Sequence, residues 1–278
     1  MTLQDVQLAL DWAAAEGWNP GLHDAIAFHS ADPDGFWMAE AQGEPVGCIS
    51  TVCYDPTFAF IGLFIVKQGW RGRGYGKQLW QTAWQHLETR MDATQSSIGL
   101  DSVLDREATY RNLGFIPVYR HIRHAYYSPP SDGLPSGVVP LSDIPFAEVI
   151  RYDSELFPAS RPQFLKPWLE IPGGAAYGIV EDGKLQGYGI LRPCRQGFKI
   201  GPLFADSRAI AQSLLSALGS HAGSQPIFVD VPESNPAIAS FTQNNNMRPV
   251  FSCVRMYCGP RPSHDIKRVF GVTTLELG

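Results

Sequence analysis

The second half of the chain repeats the first. VGCIS at 46–50 is echoed by QGYGI at 186–190, IGLFIV at 61–66 by IGPLFA at 200–205, GLDSV at 99–103 by FVDVP at 228–232, and GFIPV at 114–118 by NMRPV at 246–250. An internal repeat of this length restricts the fold to one supersecondary plan used twice, the second copy degenerate. With 278 residues and 44% hydrophobic content there is material for two packed units. SPPSDGLPSG at 128–137, rich in proline, glycine and serine, has the composition of a connection. The expected units are therefore 1–127 and 138–278.

Within the first unit, helices are predicted over 3–16 and 21–30. Three runs then follow, FWMAE, PVGCISTVCY and TFAFIGLFIV, which read as consecutive antiparallel strands. Leu79, Trp80, Ala83, Trp84 and Leu87 recur at helical spacing, SSIGLDSV reads as a strand, 105–113 as a short helix closed by Gly114, and FIPVYRHIRHAYY as one or two strands. The second unit offers strands in AAYGIV, LQGYGILRP, GFKIGPL and PIFVDV, a helix marked by Ile210, Leu214, Leu215 and Leu218, a helix at 235–245 and a strand at 247–257. The fold class is α/β of the α+β kind: two units, each a mixed, mainly antiparallel sheet flanked by helices.

Between the third strand and its helix lies KQGWRGRGYG. A glycine-rich turn that opens a helix presents free backbone N–H groups where the macrodipole favours negative charge. Gly72, Gly74 and Gly76 permit positive φ and close approach, and Arg71 and Arg73 can fork onto phosphate oxygens. The loop lacks GxxxxGK[ST], and its glycines run GxGxG rather than GxGxxG, so other phosphate-binding loops fit less well.

These residues resemble the acetyl-CoA signature of the GCN5-related N-acetyltransferases, [RQ]-x-x-G-x-[GA], met here by Arg71, Gly74 and Gly76. Ala108 to Phe115 resembles the family's A-x-Y-x-x-x-G-F. GWNPGLHD, the DPDG turn and VFGVTTLELG are similar to segments of a tandem-domain bacterial subgroup, the YitH group. The resemblance implies that the backbone of Phe64, Ile65 and Val66 pairs with the pantetheine arm in a gap between splayed strands. It also implies that amides from Arg71, Gly72, Arg73, Gly74, Tyr75, Gly76 and Lys77 cradle the pyrophosphate. Acetyl-CoA is then the co-substrate and an amine, of a small molecule before a protein amino group, the expected acceptor, attacking the thioester directly; a non-catalytic acyl-CoA sensor or ligand-binding module is the alternative.

Direct attack needs a neutral amine. For an acceptor of lysine-like pKa, deprotonation at neutral pH costs about 4–5 kcal/mol, so a base or water relay is required. Tyr110 matches the family position near the sulfur and is the candidate general acid. The third strand carries no carboxylate, and Asp101, at the end of the next strand, is the candidate base. The second half has no glycine cradle, and opposite Tyr110 it offers Phe241 or Thr242; it is expected to bind no cofactor and to wall the acceptor pocket. Arg161, Arg192, Asp206, Asp230, Glu233 and Arg255 are its polar possibilities.

The net charge of −5 argues against a surface that tracks nucleic acid or anionic lipid. Cys48, Cys53, Cys194, Cys253 and Cys258 show no CxxC spacing and read as reduced thiols. The histidines have no metal spacing, His121 and His124 reading as strand-surface residues, and no metal is expected. The start of the chain has no basic n-region and no apolar run approaches about 20 residues, so a cytoplasmic protein is expected.

Overall fold

The computed structural model describes residues 1–129 and 133–278, so part of the expected connection at 128–137 lies outside the described residues. The first half contains helices α1 (Leu3–Ala15) and α2 (Asp24–Ala31), strands β1 (Phe36–Ala41), β2 (Glu44–Asp55) and β3 (Phe58–Val66), then α3 (Tyr75–Arg90), β4 (Ser97–Val103), α4 (Glu107–Asn112) and β5 (Ile116–Tyr126). The second contains β6 (Val138–Pro140), α5 (Phe146–Ser154), α6 (Pro162–Leu169), β7 (Ala175–Glu181), β8 (Lys184–Pro193), β9 (Phe198–Ala205), α7 (Arg208–Gly219), β10 (Ile227–Pro232), α8 (Ile238–Asn244), β11 (Arg248–Cys258) and β12 (Val269–Gly271). From α5 onward this repeats the order of the first half. The counterparts of α1 and α2, α5 and α6, lie where the sequence pattern assigns nothing: both are short, and Pro167 stands inside α6.

Local chemistry sets the element ends. The Thr2 hydroxyl accepts from the Asp5 amide while Asp5 accepts from the Thr2 amide at 2.7 Å, a capping box that starts α1 and is worth about 1 kcal/mol. Val6, Ala9, Leu10 and Ala13 then form the buried stripe of that helix. On the opposite face of the sheet, Leu79, Ala83 and Leu87 of α3 pack on Ile49 and Ile61.

The sheet is continuous through the molecule, in the order β1-β2-β3-β4-β11-β5-β10-β9-β8-β7-β6, with β12 attached to β9. The halves exchange their last long strands. β11 lies antiparallel between β4 and β5, and β5 lies antiparallel beside β10. Cutting the chain between the halves would leave β4 and β10 each short of a strand unless the pieces stayed together.

Each half also has a place where two parallel strands part. β3 pairs with β4 only from Phe58–Ile61 against Ser97–Leu100, and β9 with β10 only from Phe198–Ile200 against Ile227–Val229. The second gap is filled by the chain itself. Val269 and Gly271 of β12 pair with Phe204 and Leu203, and the Val272 amide donates to the Asp230 carbonyl at 2.9 Å. A β-carbon at Gly201 would stand 2.4 Å from the Thr273 carbonyl oxygen, so this passage requires glycine. The segment then runs on to the first gap, where the Tyr54 hydroxyl donates to the Leu277 carbonyl at 2.9 Å.

Ion pairs occupy the interior between these gaps. Arg255 donates to both oxygens of Asp101 at 2.9 and 2.7 Å, Arg123 to both of Asp230 at 2.7 and 2.9 Å, and Arg161 to both of Asp153 at 2.9 and 2.8 Å. Removing one partner of such a pair costs about 3–5 kcal/mol because the other charge is left buried alone. His264, beside Arg255, is shifted the other way: burial, and then the charges of Arg255 and Arg261, push its pKa down from 6.5 to about 4. A histidine depressed in the fold stabilises it fully above pH about 6.5 and loses that contribution as pH falls toward about 4, up to about 3 kcal/mol. His264→Gln should therefore flatten the fall in urea-unfolding midpoint between pH 7 and 5. An unchanged slope would place the acid sensitivity elsewhere.

Candidate active site

The alternation of β3 breaks at Gly62–Leu63. Ile61 faces α3, Gly62 faces the other side, Leu63 packs on that other side again, and Phe64 returns to α3. The register against β2 slips at the same point, from Ser50–Gly62 to Cys48–Ile65, and Leu63 takes φ 45°. An L-residue with a β-carbon adopts that conformation at a cost, and a bulge of this kind turns the backbone out of its ladder. Here it does so where β4 has moved away.

Beyond Val66 the chain makes a short 3-10 turn and then enters α3 through Gly72 (φ 77°) and Gly74 (φ 90°). Gly74 is the N-cap of α3, so the amides of Tyr75, Gly76 and Lys77 lack carbonyl partners within the helix. A β-carbon at Gly72 or Gly74 would meet nothing within 4 Å, so the space above the turn is open. Gap, bulge and glycine turn belong to one cleft of about 840 Å³. The same cleft takes in Trp80 and Tyr110 on the α3 side, and Trp18, Arg123, Phe251, Cys253, Leu275 and Glu276 from elsewhere in the chain.

Most of the residues expected to hold an acyl-CoA line this cleft: Phe64, Ile65, Val66, Arg71, Gly72, Gly74, Tyr75, Gly76 and Lys77. Both arginines have protein partners. Arg71 donates through Nε to the Val66 carbonyl at 2.7 Å and through Nη2 to Glu16, while Arg73 lies outside the lining, stacked 4.9 Å over Trp70. The backbone amides of Tyr75, Gly76 and Lys77 are without partners inside the helix, and Arg71 lines the cleft beside them. Tyr110 projects from α4 into the cleft, packed against Trp80 at 5.8 Å and Phe115 at 6.1 Å. Burial pushes its pKa up to about 12, opposed by the charge of Arg106, so the hydroxyl keeps its proton through neutral pH.

Asp101 also lines the cleft, but it is engaged. Oδ1 accepts from His121 Nδ1 at 3.0 Å and from Arg255 Nε, and Oδ2 accepts from Arg255 Nη2. Although burial opposes it, the Arg255 guanidinium and His121 hold the carboxyl well below the usual range, which makes Asp101 a feeble proton acceptor. His121 and His124 are buried rather than on the strand surface, because β5 is an interior strand of the shared sheet. Asp101, His121 and Cys253 gather donor atoms within 4.8 Å of one another, but the Arg255 guanidinium on the same carboxylate opposes a cation there. Four cysteines are buried and all five are free. Of the polar possibilities in the second half, Arg161, Arg192, Asp206, Asp230 and Arg255 sit in ion pairs, and none of the six lines the cleft. Phe241 and Thr242 are core residues. What the second half does send to the cleft is Phe251 and Cys253 from β11, and Leu275 and Glu276 from the final segment. No local pattern assigns these four to the site: VFGVTTLELG marks the tail by its resemblance, but not where Leu275 and Glu276 go.

Two family models match the chain: "Acetyltransferase (GNAT) family" over residues 4–115 and "Acetyltransferase (GNAT) domain" over residues 149–271. The holothin acyltransferase of Pseudoalteromonas sp. (strain SANK 73390) is 28% identical over 278 residues, covering 100% of this chain and 92% of its own. Among solved structures, a candidate acetyltransferase from Pyrococcus horikoshii superposes with TM-score 0.83 at 23% identity, over 100% of this chain and 94% of that one. A tandem GNAT protein from the clavulanic acid biosynthesis pathway gives 0.62 at 18%, over 94% and 98%. Those two likenesses establish the fold, and no described helix is long and apolar enough to cross a membrane. With one family model on each half and an acyltransferase related along its whole length, the chain is an acyltransferase that belongs to the GCN5-related N-acetyltransferase (GNAT) family.

Proposed function

We propose that the protein transfers an acetyl group from acetyl-CoA to the amine of a small molecule at the gap between β3 and β4. The observation that carries this reading is the joining, in one cleft, of a bulged strand edge at Leu63 and an open glycine turn at the N-terminus of α3. A strand edge offers unpaired N–H and C=O groups to an amide-bearing chain, and the turn offers amides and a positive dipole end to phosphate. Trp18, Phe251 and Leu275 give the cleft apolar walls suited to a small, flat acceptor, and the whole-length relative is named for acylating holothin.

Tyr110, which lines the cleft and keeps its proton at neutral pH, is read as the donor of a hydrogen bond to the departing sulfur. Asp101 we read as the anchor that fixes Arg255 and His121 rather than as the base. The second half supplies part of the acceptor wall, and its own gap, plugged by β12, takes no acyl-CoA.

Calorimetry with acetyl-CoA and CoA, followed by thiol release across a panel of primary amines, tests the reading. Acylation of at least one amine is expected, with Tyr110→Phe lowering kcat about 100-fold and leaving the CoA Kd within threefold. CoA binding without an acylated product from any amine would favour a sensor instead.

A further inference from the structure

Glu276 is the carboxylate that β3 lacks. It is brought by the last segment of the chain, which leaves the plugged second gap at Val272 and crosses to the first. Its backbone presses on β3 so closely that a β-carbon at Gly62 would stand 1.8 Å from the Glu276 carbonyl oxygen, which fixes the residue at the bulge. Glu276 lines the cleft although it is only 4% exposed, and its buried Oε2 has no hydrogen-bond donor among the described residues. A buried carboxylate oxygen in that state is short of the N–H groups it would have in water.

The charged groups that face it are Arg123 of β5, itself paired with Asp230 of β10, and Lys199 of β9, and Asp101 and Cys253 share the cleft lining. Arg123 is committed to Asp230 and to the Trp18 carbonyl at 2.6 Å. Arg123 and Lys199 lie within electrostatic range of Glu276 and balance its charge without occupying Oε2.

We propose that Glu276 receives the acceptor as its ammonium ion and takes the proton that must leave before attack. This rests on the acyl-transfer reading above. The ammonium passes one proton to Glu276, and the freed lone pair forms the N–C bond to the thioester carbonyl carbon as the C–S bond breaks. The second proton that nitrogen loses as the amide forms ends on sulfur, beside the Tyr110 hydroxyl, and Glu276 returns its own to solvent. Each turnover thus converts ammonium and thioester into amide, thiol and one released proton.

The test compares wild type, Glu276→Gln and Glu276→Asp with acetyl-CoA and a panel of aniline, benzylamine, tyramine and tryptamine. It reads thiol release from pH 5.5 to 9, CoA affinity by calorimetry, benzylamine affinity in the CoA complex, and Tm. For Glu276→Gln, kcat should fall by about 100- to 10,000-fold with CoA Kd within threefold and Tm unchanged. Benzylamine should bind at least about tenfold more weakly, the acidic limb of the kcat/KM profile should disappear, and Glu276→Asp should restore part of the rate. If wild type acylates an amine and Glu276→Gln matches it in rate or keeps its pH profile, Glu276 is not the base. If Gln and Asp lose activity and Tm together, the residue is structural. If wild type binds CoA and acylates nothing, the acyl-transfer reading fails first and this one with it.

Discussion

Gly74→Glu is expected to weaken acetyl-CoA binding by at least about 100-fold in calorimetry, with the fold retained by circular dichroism. The position is the N-cap of α3 at φ 90°, beneath open space, so the new side chain meets no steric barrier and projects where phosphate is proposed to sit. A carboxylate about 5 Å from a phosphate charge at an effective dielectric of about 20 costs about 3 kcal/mol, which alone is about 200-fold. Forcing an L-residue into the left-handed region adds about 1–2 kcal/mol to the folded state. Gly74→Asn, which tolerates that conformation and is uncharged, should recover most of the affinity. An unaltered Kd in Gly74→Glu would move the phosphate site away from this turn.

Gly62→Ala should leave acetyl-CoA affinity within about tenfold and lower kcat by about 100-fold or more. A methyl group cannot coexist with the Glu276 carbonyl oxygen 1.8 Å away, and that neighbour is backbone, so the final segment must be pushed off β3. A displacement of about 1 Å at a reacting centre is enough for a loss of this size. The Tyr54–Leu277 hydrogen bond should weaken with it, so proteolysis of the final segment is expected to quicken in the variant. Wild-type turnover in Gly62→Ala would show that the segment is no part of the catalytic geometry.

How far the sequence carries can be judged at β3. Its β-branched and aromatic run, the glycine turn and the periodic helix that follows are local signals, and the strand, turn and α3 stand where those signals put them. The five thiols read as reduced are free for an equally local reason, the absence of paired spacing and the apolar surroundings of four of them. Asp101 illustrates the limit. Its neighbour in sequence space is a strand end, but its neighbour in the fold is Arg255, 154 residues away, and that guanidinium decides what the carboxylate can do. Glu276 is not legible for the same reason, since its place in the cleft comes from the path of the tail and not from the residues beside it. His121 and His124 fit a strand surface by pattern alone, because the exchange of β5 into the middle of the sheet leaves no mark within one strand.

The exchange of last strands has a consequence for how the molecule is made. β4 acquires one neighbour, β3, soon after synthesis, but its other neighbour, β11, carries the arginine that Asp101 needs and lies 154 residues downstream. At about 5–20 residues per second, roughly 8–30 s pass between the two. During that time β4 lacks the neighbour it has in the finished sheet and Asp101 lacks its guanidinium partner, so the first half cannot complete its sheet until β11 is made. Completion of the first unit waits for nearly the whole chain, and the molecule closes as one cooperative body rather than domain by domain.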